Sequence, residues 1–195
     1  MTTTDMFPAS DVDLARLRDH LAVDAEAAGL LDVSYRTLDT PIGSMLIAAT
    51  RHGLVRVAFE AEGFDAVLDS LSEQVSPRVL GAGGRLDVVA FQFDEYFRGS
   101  RRSFDLPLDR RLSRGFRSEV QAWLPHIGYG QTLSYKEVAE KVGRPRAVRA
   151  VGSACATNPL PVVVPCHRVL RSDGSLGGYL GGLEAKRALL ALEAS

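Results

Sequence analysis

In "PVVVPCHRVLRSDG" a thiol, an imidazole and a guanidinium occupy three successive positions, Cys166, His167 and Arg168, directly after a proline. Those residue types suit nucleophilic sulfur chemistry, because a thiol reacts as its thiolate and cationic or hydrogen-bonding neighbours raise the thiolate fraction. In an extended segment adjacent side chains point to opposite sides, so Cys166 and His167 would not touch directly. A relay through one water would join them, provided a carboxylate orients the imidazole from its far side. Glu184 and Glu193, on the last helix that the sequence predicts, are the downstream candidates. Cys155 falls in phase with Val148 and Val151 on a helix and reads as an inert core residue. Haem attachment is excluded, since the earlier cysteine it needs would fall at Val163. Two cysteines also make neither a disulfide framework nor a four-ligand zinc site, so no metal is expected.

Several elements must position this group. The β-branched run before Cys166 reads as a short buried strand that Pro165 stops, leaving the residues after it presented rather than buried. Upstream, "TLSYKEVAEKVGRPRAVRAVG" carries the spacing of a helix-turn-helix. Ser134 and Glu137 form a capping box that starts a helix at Tyr135, Gly143 ends it, and Pro145 suits the first position of the next helix. Val138, Ala139 and Val142 make one apolar face, and Val148, Val151 and Cys155 another. Arg149 lies beside that face between the small residues Ala147 and Ala150, so the helix can approach a nucleic-acid backbone or groove while one guanidinium reaches inward. From Lys141 to Arg171 the chain holds Lys141, Arg144, Arg146, Arg149, Arg168 and Arg171 with no Asp or Glu, which predicts a basic face.

The chain as a whole is near neutral, with a formal charge of -1 over 195 residues, which excludes binding of nucleic acid through bulk charge. Hydrophobic residues at 46% and charged residues at 24% place it among globular proteins. No stretch approaches the roughly 20 apolar residues that cross a bilayer, and "MTTTDMFPAS" lacks the features of a secretory signal, so the expectation is a cytoplasmic protein without membrane contact. In residues 1–30, Leu14, Leu17 and Leu21 recur at helical spacing behind Ser10, predicting an extension that packs on the body. Residues 31–108 read as an α+β unit. Three strand-like segments, "VSYRTLD", "SMLIAAT" and "LVRVAFE", predict an antiparallel sheet, and "FDAVLDSLSEQV" and "LDVVAFQFDEYFRG" predict helices, the second packing through Val88, Phe91, Phe93 and Tyr96. The charged joint "PLDRRLS" precedes a mainly helical unit at 113–195.

Taken in order, "SYKEVAEKVGRPRAVRAVGSACATNP", "VPCHRV" and "GYLGGLEAKRALLALE" closely resemble the O6-alkylguanine-DNA alkyltransferases over residues 33–195, most strongly after 113. The resemblance implies a ribonuclease H-like first domain and a winged helix-turn-helix-like second one. It implies stoichiometric, irreversible transfer of an alkyl group, without a cofactor, from O6-alkylguanine, and from O4-alkylthymine, in double-stranded DNA. Cys166 would accept the group, His167 would take its proton through a water, and Glu193 would orient His167. Tyr135 would help to rotate the nucleotide out and hydrogen-bond the departing base, Asn158 would brace the active turn, and Arg149 would fill the vacated stack. Ala147 and Ala150 would let the helix lie in the minor groove, Arg117 and Ser172 would contact the DNA backbone, and Pro161, Val169, Gly177 and Tyr179 would line the base pocket. A monomer in solution is implied, with cooperative assembly on DNA left open. The chain departs from the family pattern at Gln121, Trp123 and Gly128, positions of packing rather than chemistry. From the residues alone, a Cys–His hydrolase, a lesion sensor and a transcription factor remain alternatives.

Overall fold

The computed structural model describes residues 17, 20–25, 27–81 and 84–194. Strands β1 (Val33–Thr40), β2 (Gly43–Thr50) and β3 (Gly53–Phe59) form an antiparallel meander, with register from Ser34 opposite Ala49 to Thr40 opposite Gly43. Strand β2 runs between the other two and is covered on both faces. Its alternation sends Met45, Ile47 and Ala49 to one side and Leu46 and Ala48 to the other. Arg56 pairs with Ala48 but Leu54 with Ala49, so Val55 is an extra residue, and the bulge resets which face β3 presents. After helix α1 (Phe64–Gln74), the chain returns as β4 (Val79–Gly81), parallel to β1, making the sheet order β3-β2-β1-β4. The sequence did not predict β4, because three half-buried residues carry too little alternation to register as a strand.

Helix α1 covers the Leu46 face through Val67 and Leu71, and helix α2 (Asp87–Phe97) covers the Met45 face. The expected packing of α2 needs correction. Val89, Phe93 and Tyr96 are buried, whereas Val88 and Phe91 point to solvent, at 60% exposure each. Only the i, i+4, i+7 stripe meets the sheet. The N-terminal expectation is also revised. Ser10 and Leu14 lie outside the described residues, while Leu17 and Leu21 are exposed; contact with the body comes instead through Ala22 and Leu31.

The second half comprises α3 (Gly115–Trp123), a two-residue strand β5 (Leu133–Ser134), α4 (Tyr135–Lys141), α5 (Val148–Ala156), strand β6 (Val169–Leu170) parallel to β5, and α6 (Gly182–Glu193). The Ser134–Glu137 capping box opens α4 in both directions, and Gly143 beyond its end has φ +73°. Pro145, expected at the first turn of the next helix, lies in the turn before it; α5 starts at Val148 behind Ala147. No helix among the described residues is long and apolar enough to cross a membrane.

The two halves share one core. Met45, Ile47, Phe93 and Tyr96 from the first pack in the same cluster as Val120, Leu124, Val151 and Leu189 from the second. Backbone bonds reinforce the seam: Leu54 N–H donates to Pro107 O, Asp109 N–H to Leu54 O, and Val57 N–H to Pro159 O, all within 2.9 Å. A core continuous across the seam predicts a single unfolding transition. Leu124→Ala should cost about 2–5 kcal/mol and shift the denaturation of Trp123 fluorescence, a second-half probe, and of far-UV circular dichroism together. Separate midpoints would show that the halves unfold independently.

Candidate active site

The site is built on the short connection between α5 and β6. Asn158 lies just past the end of α5, and its buried side chain folds the connection back on itself. Its Oδ1 accepts from Leu160 N–H at 3.1 Å, and its Nδ2 donates to Val164 O at 2.8 Å and to Cys166 Sγ at 3.2 Å. The β-branched run is therefore not the strand the sequence predicted. Residues 161–163 form a turn closed by Val164 N–H to Leu160 O, with Val162 at φ +73°. A β-branched residue rarely adopts that region, and the Asn158 bonds with the prolines on either side hold it there. Pro165, at φ -81° and ψ 62°, sits at the centre of an inverse γ-turn in which Cys166 N–H donates to Val164 O.

Cys166, His167 and Arg168 then form one 3-10 turn, and all three are buried, with Cys166 at 2% and His167 at 0% exposure. This corrects the expectation that they are presented rather than buried: Asn158 bonds the thiol, Glu193 bonds the other two side chains, and Tyr179 brings the loop between β6 and α6 over the imidazole. Successive side chains in such a turn diverge by about 120°, so the thiol and the imidazole face different neighbours. The imidazole Nε2 meets Glu193 Oε1 at 2.9 Å, and Nδ1 has no protein hydrogen-bond partner. With Nε2 against a carboxylate, that nitrogen holds the proton and Nδ1 keeps its lone pair.

Glu193, at the last residue of α6, is the convergence point. Its Oε1 also accepts from Tyr96 Oη at 2.5 Å and Arg168 Nη2 at 2.8 Å, and its Oε2 accepts from Arg168 Nε at 2.8 Å and Gly130 N–H at 3.2 Å. Gly130 has φ +71°, and a Cβ there would stand 2.7 Å from Glu193 O, so only glycine brings its N–H this close. Arg168 is thus removed from the basic face expected of it; it points inward as a bidentate partner and donates also to Ile127 O. Glu184, the other carboxylate candidate, is exposed and pairs with Arg187.

Burial opposes the charge on Glu193, but hydrogen bonds from His167 and Arg168, with the imidazole and Tyr96 adding to them, hold its carboxyl well below the ordinary range. Burial likewise depresses His167, against the pull of Glu193, which favours a neutral imidazole. The Cys166 thiol is pushed up to about 11 by burial, partly offset by the Asn158 amide and the charge of Lys186. Lys186 is a residue the sequence reading missed. It is fully buried on α6, donates from Nζ to Val169 O at 2.6 Å, and burial lowers its pKa while Cys166 and Cys155 oppose that.

Pro161, Val169 and Gly177 are buried and Tyr179 is half-buried, its ring edge-on to Phe59 at 5.5 Å and to His167 at 6.4 Å. The Tyr135 hydroxyl, at the start of α4, sits so close to Gly177 that a Cβ there would fall 2.2 Å from it. Burial raises the Tyr135 hydroxyl to about 12, so it remains a donor. Arg149 and Ala150 on α5, Arg117 on α3 and Ser172 beyond β6 are exposed, and Ala147 is half-exposed. Arg117 lines a polar cleft with Arg111 and Arg114, apart from Cys166. Among the described residues no group of three or more His, Cys, Asp or Glu could hold a metal.

Comparison with known proteins matches residues 33–110 to the family described as "6-O-methylguanine DNA methyltransferase, ribonuclease-like domain", and residues 115–195 to its "DNA binding domain". A methylated-DNA–protein-cysteine methyltransferase of Mycolicibacterium paratuberculosis is 40% identical, covering 83% of this chain and 92% of that protein. The bifunctional transcriptional activator/DNA repair enzyme Ada of Escherichia coli is 38% identical over 84% of this chain and 46% of its own length. The structure of Mycobacterium tuberculosis OGT in complex with DNA superposes with a TM-score of 0.71 at 38% identity, covering 83% of this chain and 92% of that one.

The buried thiol should resist ordinary reagents. With its proton held to about pH 11, Cys166 in the native protein at pH 7.5 should react with iodoacetamide about 100-fold more slowly than a free thiol, as read by peptide mass; equal rates would show an activated resting thiolate. The folded pKa lies above the unfolded one, so the stabilising contribution is complete below about pH 9 and is lost as pH rises through about 11.

Proposed function

The chain belongs to the 6-O-methylguanine DNA methyltransferase family, DNA-binding enzymes that repair DNA by methyl transfer to a protein cysteine, and on that footing we propose that Cys166 is the acceptor of a single-use transfer. The observation that carries the assignment is the buried His167–Glu193 pair next to the thiol in sequence: His167 meets Glu193 through Nε2 and its Nδ1 has no protein partner. Cys155 has no such neighbour.

In the proposed reaction a water carries the Cys166 proton to His167 Nδ1, and Glu193 stabilises the imidazolium. The thiolate attacks the alkyl carbon, the S–C bond forms as the C–O6 bond breaks, and the electron pair stays on the guanine. Tyr135 donates a hydrogen bond to the departing base, and the proton removed from the thiol is balanced by the one guanine regains. The thioether is stable, so each molecule acts once. Lys186 supplies a buried positive charge that favours the thiolate and needs no added cofactor. Asn158 holds the sulfur in place through its amide.

For recognition, α5 enters the minor groove through Ala147 and Ala150, Arg149 occupies the stack vacated by the rotated nucleotide, and Arg117 and Ser172 touch the backbone. Pro161, Val169, Gly177 and Tyr179 receive the base. Exposure of the DNA-facing residues and burial of the pocket residues support this division. The proposed reaction extends to O4-alkylthymine, which carries the same kind of alkyl–oxygen bond.

Incubation with duplex DNA containing O6-methylguanine should add one methyl mass to the Cys166 peptide, leave Cys155 unmodified and stop at one equivalent. Continued turnover would establish a hydrolase instead. Arg149→Ala should slow repair of duplex DNA by about tenfold or more while leaving reaction with free O6-benzylguanine nearly unchanged; equal losses would remove Arg149 from the flipping step.

A further inference from the structure

One side chain of the ribonuclease-like half touches the relay. Tyr96, in the last turn of α2, is fully buried and donates to Glu193 Oε1 at 2.5 Å, across the seam between the halves. Its ring is fixed by Phe97, Phe104 and Tyr129, at centroid distances of 5.4, 5.2 and 6.2 Å. A hydroxyl so placed has one role open to it, since a carboxylate accepts and does not donate.

We propose that Tyr96 is a positioning residue for the transfer reaction: by sharing Oε1 of Glu193 with His167, it fixes the imidazole in place and keeps it a neutral base poised to take the Cys166 proton. The proposal rests on the reading of Cys166 as acceptor and of His167 as its base.

The argument is one of supply and demand at a single carboxylate. A carboxylate offers about four lone-pair sites, and Glu193 receives five donor contacts, from Tyr96, His167, Gly130 and twice from Arg168. Each donor withdraws electron density that would otherwise favour a proton on the imidazole. The groups facing His167 act in both directions: burial, Arg168 in its own turn and Lys186 on α6 disfavour its protonation and Glu193 on α6 favours it, while Tyr96 from α2 reaches it only through Glu193, Tyr179 from the covering loop stands edge-on to the ring and Cys166 precedes it in the chain. Arg168 already neutralises Glu193, so a resting imidazolium would add an uncompensated charge beside Lys186. Protonation is therefore deferred to the step in which the thiolate forms and supplies the opposite charge.

Tyr96→Phe keeps the ring and deletes the hydroxyl. It should lower the single-turnover rate constant at pH 7 by about tenfold, the worth of one hydrogen bond to a charged group, with free O6-benzylguanine as well as with methylated duplex. It should also move the midpoint of the acid limb of the rate–pH profile upward, because Glu193 then favours the imidazolium more strongly, and leave affinity for unmodified duplex unchanged. Phe104→Leu disturbs the packing of the same ring without touching Glu193. It should lower stability with no shift of the acid limb. An unshifted limb in Tyr96→Phe, or the same shift in both variants, overturns the proposal. Locating the methyl group by peptide mass keeps the underlying reading separate: label on a residue other than Cys166 in the unmodified protein overturns the acceptor assignment, whereas label on Cys166 with an unshifted Tyr96→Phe profile overturns the role of Tyr96 alone.

Discussion

A negative charge buried at the end of α6 cannot persist unless its oxygens are occupied, and the arrangement around Glu193 satisfies that requirement from four directions. Arg168 and His167 arrive from the 3-10 turn, Gly130 from the loop before β5, and Tyr96 from the other half of the molecule. Many features of the fold are consequences. The chain must bring α2 and α6 together, which the shared core does; residue 130 must lack a Cβ; and Arg168 must turn away from solvent although Arg171, three positions on, is exposed. Truncating any one partner leaves the others facing an undersatisfied buried ion, and such losses are costly.

Covering the thiol has a chemical purpose that the same arrangement explains. A cysteine at 2% exposure, with its proton held by burial, is protected from stray electrophiles. The contacts that cover it are light ones. Tyr135 touches Gly177, and the ring of Phe59 lies so near Gly181 that a Cβ there would stand 2.6 Å away. The covering loop is thus packed through glycines at two points, one from each half of the chain, where close approach needs no side chain to be displaced.

Local chemistry was legible in the sequence, and distant chemistry was not. The capping box at Ser134 and Glu137 needs only a three-residue spacing, and it formed as read. The three-stranded meander and most helices followed from periodicity and turn residues. "PVVVP" was misread because β-branched residues favour strands, whereas the side chain of Asn158 imposes a turn on them. The residues alone offered Glu184 and Glu193 equally. Their separation on the helix leaves one on the surface with Arg187 and the other in the core. Tyr96 and Lys186 carried no readable signal, since a tyrosine in an aromatic helix and a lysine in a charged one look ordinary until the packing places them.

The strand edges have a consequence outside chemistry. Edge strand β3 has outward backbone groups engaged by the segment between the halves, at Pro107 and Asp109, and by Pro159 in the connection after α5. On the opposite side β4 covers β1 only from Val33 to Tyr35, and the remainder of that edge bears Arg36 and Asp39. Neither border offers a long, uncharged ladder on which another chain could continue the sheet. Fibrillar or edge-to-edge growth from the native state is thereby disfavoured, which suits a molecule that must remain dispersed until it is used.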